Sequence, residues 1–394
     1  MNDTLWRLPG PMRFANQIRA SLDRGYSPVV SLPRQQLRDA EWQKQLLHAL
    51  DRHVDTIDIA AEAERPAASL VADALCIRDV EPGPDAAAEL ARHEAVVGRT
   101  LKLVLPADCS TSDWYNFVRR FITASRSTAI AERPRLLILT CHQLTGELTR
   151  KETLLEPLWW WGVMDRLDTA VHVSDQLFHA RADVVLRDSI VEVAGYDLAL
   201  ADHLADTWNG ALSTLDQQLI DYKSYDNEVA TELPELPHSS TPYGPPPVAM
   251  TELWDHGLAD AWDAFPAYLH PCLLVGIGRS KDVHSRVWRA QLRALMPLID
   301  EERGRLGSWM QEQLLPQHQL PDPAEPGDLF FALQQEPTLK SWRGGHRKRL
   351  IYWLRDTRNT LAHLGTLTPE ELKRGRQLIT ADRTQSSTSS ARRS

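Results

Sequence analysis

The chain has little cysteine, four residues in 394. None of the four lies in a CxxC pair or has the Cys/His spacing of a zinc site. This excludes a structural zinc site of the usual kind and predicts free thiols in a reducing compartment. Residues 1–14 also lack the basic-then-apolar order of a signal peptide. We therefore expect a cytoplasmic protein.

Long apolar runs are missing too. No run approaches the ~18 residues needed to cross a bilayer, so we expect no membrane partner. The formal net charge of −9 argues against a broad nucleic-acid-coating surface, since such surfaces are basic. It still leaves room for a local basic site. The length favours two domains over one.

Three breaks in composition divide the chain. Residues 231–247 are rich in Pro, Ser and Thr and cannot continue a helix or a central strand, so they predict an inter-domain linker. Residues 316–327 form a second Pro-rich loop. From residue 381 there is no apolar periodicity, which predicts a disordered tail. The predicted parts are domains 1–230 and 248–380, the linker 231–247 and the tail 381–394.

Short apolar runs alternate with helical patterns before the linker. Strands are predicted at 28–32, 54–59, 100–105 and 135–140, with a further candidate at 169–172. Helices are predicted between them at 36–53, 67–75 and 112–124. Such alternation indicates an α/β domain with a parallel sheet and helices on both faces.

The second half of the chain has helical periodicity. The predicted helices are 190–229, 250–269, 281–313, 329–334, 345–363 and 369–379. The predicted fold class is therefore α/β followed by an all-α helical bundle. Between the two halves lie three consecutive tryptophans, at 159–161, which form either an exposed recognition patch or a helix-to-sheet packing contact.

The order of elements over roughly residues 1–212 resembles the core of the STAND and AAA-type P-loop ATPases. In that family a strand leads into a glycine-rich loop and a Lys-Ser/Thr pair that hold phosphates and Mg²⁺. The corresponding place would be residues 8–12, which keep Gly10 but lack the Lys-Ser/Thr pair. The Walker A pattern GxxxxGK[ST] occurs nowhere in the chain.

The acidic residue that would position Mg²⁺ is absent as well. The strand at 135–140 is followed by Cys141, His142 and Gln143, and no carboxylate occurs before Glu147. With both elements missing, the resemblance implies an inactive STAND-like module used for sensing or assembly. We expect no NTPase activity, no bound cofactor and no metal.

A polar stripe marks the predicted helix at 345–363. Asn359 and His363 are four residues apart and therefore share a face of the helix, and Arg355 lies one turn earlier. Arg358 is offset, but its long side chain can reach the same place. Leu350, Leu354 and Leu361 supply the buried side.

The stretch from Arg358 through Asn359 to His363 resembles the RNxxxH motif of the HEPN family of helical domains. The resemblance implies a homodimer in which two motifs form one cleft and cleave RNA without a metal, through attack of the 2′-hydroxyl on the adjacent phosphate. His363 would act as general acid or base. Arg358 would hold the phosphate, and Asn359 would orient His363 or the ribose.

Basic residues precede this motif in an otherwise acidic protein. They favour an RNA backbone, and the neighbouring Trp342 suits a stacked base. The predicted RNA-binding residues are Arg343, His346, Arg347, Lys348 and Arg355.

Two functions follow from these features. The first is a conflict or antiphage-type protein, by fold-level analogy with bacterial defence systems, in which an inactive NTPase-like module controls a ribonuclease module and contacts protein partners of the system. The alternative is a non-enzymatic adaptor whose helical domain mediates dimerisation or partner binding. Arg358 and His363 buried and satisfied within one bundle would favour the adaptor.

Overall fold

The computed structural model describes residues 5–50, 56–60, 65–81, 83–105, 111–150, 154–177, 183–222, 233–315, 319–342 and 345–390. They form two units, and the chain crosses between them more than once. The first unit comprises Met1–His172 and Asp226–His270, and the second comprises Val173–Tyr225 and Pro271–Ser394. The division therefore differs from the predicted one, because the described part of the expected linker belongs to the first unit.

The first unit contains a parallel sheet. Its strands are β1 (Ser27–Ser31), β2 (Thr56–Ala60), β3 (Thr100–Leu105), β4 (Arg135–Thr140) and β5 (Leu155–Trp159). Within the described residues their order is β2-β3-β4-β1-β5, and all neighbours are parallel. Every residue of β1 is buried, so both faces of the sheet are covered there. The predicted parallel sheet among helices is confirmed.

The apolar runs located four of these strands within about two residues. The edge strand β5 was missed, because it contains Pro157 and lacks a clean apolar run; proline is tolerated at a sheet edge. The candidate strand at 169–172 is wrong. Those residues belong to a helix that starts at Arg166. The side chain of Asp165 caps this helix by accepting hydrogen bonds from the backbone N–H groups of Leu167 and Asp168.

Helices surround the sheet. They are α1 (Pro9–Asp23), α2 (Arg34–Arg38), α3 (Ala40–Leu50), α4 (Ala67–Ala74), α5 (Ala86–Leu90), α6 (Thr111–Ser125), α7 (His142–Thr149) and α8 (Arg166–Leu177). The predicted helix at 36–53 is interrupted at Asp39, whose side chain accepts hydrogen bonds from the backbone of Glu41 and Trp42 and so starts a new helix. Its last residues, 51–53, lie outside the described part.

The consecutive tryptophans pack inward rather than forming an exposed patch. Trp160 and Trp161 are buried. The ring of Trp160 meets the rings of Trp6, Phe14 and Trp42 edge-on, with centroids 5.1–5.8 Å apart. These contacts join the segment after β5 to α1 and α3, as expected for aromatic rings that bury large apolar area.

Residues 233–270 return to the first unit as an ordered segment. The prediction of one helix over 250–269 is wrong. A short helix, α12 (Thr251–Asp255), is followed by an antiparallel hairpin of β6 (Ala259–Trp262) and β7 (Phe265–Leu269). The helix stops because Gly257 has φ +71°, and Asp263, with φ +54°, makes the tight turn between the strands. We call residues 241–262 the strap.

The second unit is helical, as predicted for the C-terminal half. Its helices are α9 (Val184–Ala194), α10 (Leu198–Thr207), α11 (Leu212–Tyr222), α13 (Pro271–Gly276), α14 (Ser280–Gln313), α15 (Pro326–Gln335), α16 (His346–Ala362) and α17 (Pro369–Ser390). The predicted helix at 190–229 is three helices, the first ending at Gly195, which has φ +61°. None of the described helices combines the length and apolar character that crossing a membrane requires.

Helix α17 continues to Ser390, although a disordered tail was expected from residue 381. The reason is Asp382, whose buried carboxylate accepts from Arg305 at 2.5 Å, His346 at 2.7 Å and Arg347 at 3.1 Å. Burial alone would raise the pKa of Asp382, but these partners hold it below its usual value. The carboxylate thereby joins α14, α16 and α17, a contact that a search for apolar periodicity does not detect.

We expect Asp382→Asn to lower the free energy of unfolding by about 3 kcal/mol, because it leaves Arg305, His346 and Arg347 without their buried anion. Urea denaturation followed by circular dichroism measures the change. Asp356→Asn is the matched control: Asp356 is exposed on α16 and, among the described residues, pairs only with its neighbour Arg355, so its loss should cost less than about 1 kcal/mol. Equal midpoints for Asp382→Asn and the unaltered protein would contradict the structural role of Asp382.

Candidate functional site

The polar stripe of α16 lies on the surface of the second unit. Leu350, Leu354 and Leu361 are buried, as the helical period predicts. Asn359 and His363 are exposed, and neither side chain has a hydrogen-bond partner among the described residues. His363 is the first residue after the helix. Both groups are therefore accessible and uncommitted.

An ion pair holds the side chain of Arg358. Its Nη2 lies 2.9 Å from Oε2 of Glu325, the residue that precedes α15. The side chains are 41% and 49% exposed, so solvent screens the pair and it contributes little to stability. The guanidinium can therefore exchange Glu325 for another anion at small cost.

A strained residue follows this stripe. Leu364 has φ +61°, a left-handed conformation that costs a non-glycine residue about 1 kcal/mol. It allows the N–H of Gly365 to donate to the carbonyl of Thr360 at 2.8 Å, the closing bond of a Schellman turn. Glycine is the usual residue at this position of the turn. Here a leucine occupies it, and its side chain is 69% exposed. An exposed apolar side chain thus stands beside His363.

The predicted RNA-binding residues divide into three groups. Arg343 lies outside the described residues. His346 and Arg347 are committed to Asp382, and the guanidinium of Arg347 also stacks on the rings of Trp309 and Trp342, at 4.9 and 4.6 Å from their centroids. Their role in the structure is to hold α16 in place, which leaves less positive charge on the surface than the sequence indicated.

Lys348 and Arg355 lie nearer to solvent. The ammonium of Lys348 is 5.6 Å from the centroid of Tyr352. Arg355 pairs with Asp356 at 2.7 Å and stacks on Phe330 at 4.0 Å. Together with Asn359 and His363 they extend along the outer side of α16, so the structure keeps part of the predicted polar stripe together.

A second site follows from the strand order of the first unit. The connection after β1 leads past β4 and β3 to β2, whereas the connection after β4 leads across β1 to β5. Adjacent strands whose connections run in opposite directions leave a crevice at their carboxyl ends, where ligands bind in open α/β sheets. Here the crevice lies between the ends of β1 and β4.

A carboxylate from the strap occupies this crevice. Oδ2 of Asp255 accepts from Nε of Arg34, three residues after β1, at 2.5 Å. Its Oδ1 lies 3.6 Å from Nδ1 of His142, two residues after β4, which is beyond ordinary hydrogen-bond length. Burial would raise the pKa of Asp255, but the neighbouring His142 and Arg34 hold it below its usual value. Asp255 is far away in the sequence, and for that reason sequence reasoning missed it.

The structure corrects the expected position of the phosphate loop. Residues 8–12 precede β1 and contain the start of α1, and the described residues just before them, Leu5–Arg7, form a short 3-10 helix and not a strand. The N–H of Gly10 donates to Oδ1 of the buried Asp168 at 2.8 Å, and a Cβ at Gly10 would lie 2.0 Å from the carbonyl oxygen of Val163. An internal carboxylate already caps this helix. Burial raises the pKa of Asp168 to about 6, against the opposing effect of its backbone hydrogen bonds.

Asp260 anchors the strap to the segment after β5. Its Oδ1 accepts from the N–H groups of Gly162 at 2.7 Å and Ala261 at 2.8 Å. The side chain is fully buried with no cation paired to it in the described structure, and burial raises its pKa to about 8. Among the described residues no group of three or more His, Cys, Asp or Glu side chains could hold a metal ion.

No protein-family model matches this chain, and no curated protein matches its sequence. Support for a function therefore comes from the geometry of the two sites and from the sequence motifs.

We expect Leu364→Gly to stabilise the second unit by about 1 kcal/mol, because glycine adopts φ +61° without the steric cost of a Cβ. Thermal denaturation measures this change. Leu364→Ala is the control: it removes most of the exposed side chain but keeps the Cβ, so no gain is expected. A loss of stability in Leu364→Gly would contradict this, because it would show that the leucine side chain makes stabilising contacts that outweigh its backbone strain.

We expect Asp260→Asn to become more stable, relative to the unaltered protein, as the pH rises. The carboxyl titrates near its ordinary pKa of 3.8 when unfolded and near 8 when folded. Its protonated form therefore stabilises the fold at low pH, and this contribution is lost as the pH rises towards 8, by up to about 1.4 kcal/mol per pH unit. Asparagine keeps the oxygen that accepts both hydrogen bonds and does not ionise.

Denaturation of both proteins between pH 5 and pH 8 measures this difference. Asp263→Asn, at the exposed turn of the same hairpin, serves as the control and should show no such trend. A constant difference between Asp260→Asn and the unaltered protein across this range would contradict the raised pKa.

Proposed function

We propose that the second unit is a metal-independent endoribonuclease that acts as a homodimer, with Arg358, Asn359 and His363 from two copies lining one cleft. The observation that supports this most is the contrast within α16. The basic residues at its start are paired inside the unit, whereas Asn359 and His363 at its end are exposed and uncommitted. Polar groups without partners at the end of a rigid helix are suited to a ligand or a second copy.

The chemistry assigned to each residue follows from its side chain. His363 is exposed, and an imidazole can both accept and donate a proton, so it can take the proton of the RNA 2′-hydroxyl or donate one to the leaving 5′-oxygen. Arg358 would leave Glu325 and bind the phosphate through two parallel hydrogen bonds. Asn359 would hold the ribose or His363 from one turn away.

The first unit, in this proposal, is an inactive NTPase-like module that senses a signal or scaffolds partners in a defence system of the cytoplasm. Two features support it. The segment after β1 reads Leu32-Pro33-Arg34 and has no Lys-Ser/Thr pair. The crevice between β1 and β4 already contains the carboxylate of Asp255, with which a nucleotide phosphate would have to compete.

The adaptor remains the alternative, and one observation favours it. The ion pair between Arg358 and Glu325 gives the guanidinium a partner within a single chain. If the role of Arg358 is to form this ion pair, the motif stabilises the helical bundle and the protein does not cleave RNA.

Cleavage of single-stranded RNA by the purified protein in the presence of EDTA tests the proposal. We expect cleavage by the unaltered protein and a loss of at least about 100-fold in Arg358→Ala and His363→Ala, the usual range for removing a general acid or base or a charge-stabilising group.

Glu325→Ala is the matched control. It breaks the same ion pair as Arg358→Ala but leaves the guanidinium in place, so activity should be kept or increased. Equal losses in Glu325→Ala and Arg358→Ala would assign the pair a structural role and favour the adaptor. No cleavage by the unaltered protein would contradict the enzyme.

A further inference from the structure

The guanidinium of Arg34, at the crevice between β1 and β4, uses only part of its hydrogen-bonding capacity within the described structure. Arg34 donates to Asp255 through Nε, and neither of its terminal nitrogens has a partner among the described residues. Its side chain is 42% exposed, so these donors face solvent at the mouth of the crevice. A guanidinium in this state can bind two oxygens of an incoming anion in parallel.

The anion now in the crevice is poorly satisfied. The side chain of Asp255 is 2% exposed, and its Oδ1 has no hydrogen-bond donor within the described structure. Nδ1 of His142, on the opposite wall, has none either. A buried carboxylate oxygen without a donor costs free energy. Asp255 is therefore held in the crevice less tightly than it would be if both of its oxygens accepted hydrogen bonds.

The walls also supply backbone donors. Helix α7 begins at His142, its preceding residue Cys141 makes no side-chain capping bond, and no acidic residue lies in its first turn. The first N–H groups of a helix have no partner within the helix and attract anions. An anion that replaced Asp255 would therefore meet Arg34, His142 and the start of α7.

The segment that carries Asp255 is short. Helix α12 has five residues, and the strap is fixed on either side of it by the hydrogen bond from the N–H of Tyr243 to the carbonyl of Trp161 at 2.7 Å and by the bond from Gly162 to Asp260. Displacing Asp255 requires movement of α12 between these anchors, together with Leu253 and Trp254, which are buried beside it.

We propose that the crevice between β1 and β4 is a binding site for a phosphate group, and that Asp255 is its built-in competitor. The phosphate binds Arg34 and the start of α7, and the carboxylate of Asp255 leaves with α12. Binding is thereby coupled to the position of the strap, which gives the first unit two states that a phosphate-bearing ligand can switch.

Titration with inorganic phosphate, followed by calorimetry on the full chain, tests the site. Asp255→Asn is nearly isosteric and removes the competing charge, so it should bind phosphate at least tenfold more tightly than the unaltered protein. Asp255→Asn combined with Arg34→Gln should lose this binding. Glu252→Gln changes the same charge on the exposed side of α12 and should bind like the unaltered protein.

Methyl phosphate distinguishes the two sources of the ligand. Binding of both compounds assigns the site to a terminal phosphate group of a larger molecule, and binding of inorganic phosphate alone assigns it to the free ion. Unchanged or weaker phosphate binding in Asp255→Asn, or binding that survives the loss of Arg34, would overturn the proposal.

Hydrogen exchange on the unaltered protein provides a test that needs no variant. Saturating phosphate should accelerate amide exchange in residues 250–258, because Asp255 and α12 leave the crevice. Slower or unchanged exchange in these residues would overturn the proposed competition.

Discussion

The ion pairs of Asp382 with Arg305, His346 and Arg347 determine where α16 lies, and the proposed site at the end of α16 depends on that position. The carboxylate belongs to α17, its partners belong to α14 and α16, and it is fully buried. Because an unpaired charge at such a depth is costly, the three helices are constrained to one arrangement. The start of α16 is thereby fixed, and its other end presents Asn359 and His363 to solvent.

The first unit also depends on buried carboxyl groups. Asp168 caps the start of α1, Asp260 anchors the strap and Asp255 fills the crevice between β1 and β4. Each carboxylate takes a position where backbone N–H groups or a cation would otherwise need a partner. The first unit thus fills these positions with its own carboxyl groups.

Sequence reasoning recovered the features that depend on neighbours in the chain. Apolar runs located β1 to β4, and helical periodicity located α14, α15 and α16 with small errors at their ends. It failed where distant residues decide the outcome. The extension of α17 depends on Arg305, which lies 77 residues before Asp382, and the contents of the crevice depend on an ion pair that spans 221 residues.

The site on α16 was predictable in part for the same reason. The spacing of Asn359 and His363 places them one helical turn apart whatever the tertiary fold, in the last turn of α16 and at the residue that follows it. The commitment of His346 and Arg347 to Asp382 was not predictable, since a run of basic residues has the same sequence whether it faces RNA or a buried carboxylate. Burial decides between these roles, and burial is a property of the fold.

The chemistry of the RNA ends tests the proposed ribonuclease most directly. Attack by the 2′-hydroxyl leaves a 2′,3′-cyclic phosphate on one fragment and a 5′-hydroxyl on the other. Mass spectrometry of fragments from a defined oligonucleotide, cut in EDTA, identifies these ends. The account predicts cyclic phosphates and no cleavage where the ribose is replaced by 2′-deoxyribose. Fragments ending in 3′-hydroxyl and 5′-phosphate, or cutting at the deoxy position, would contradict it.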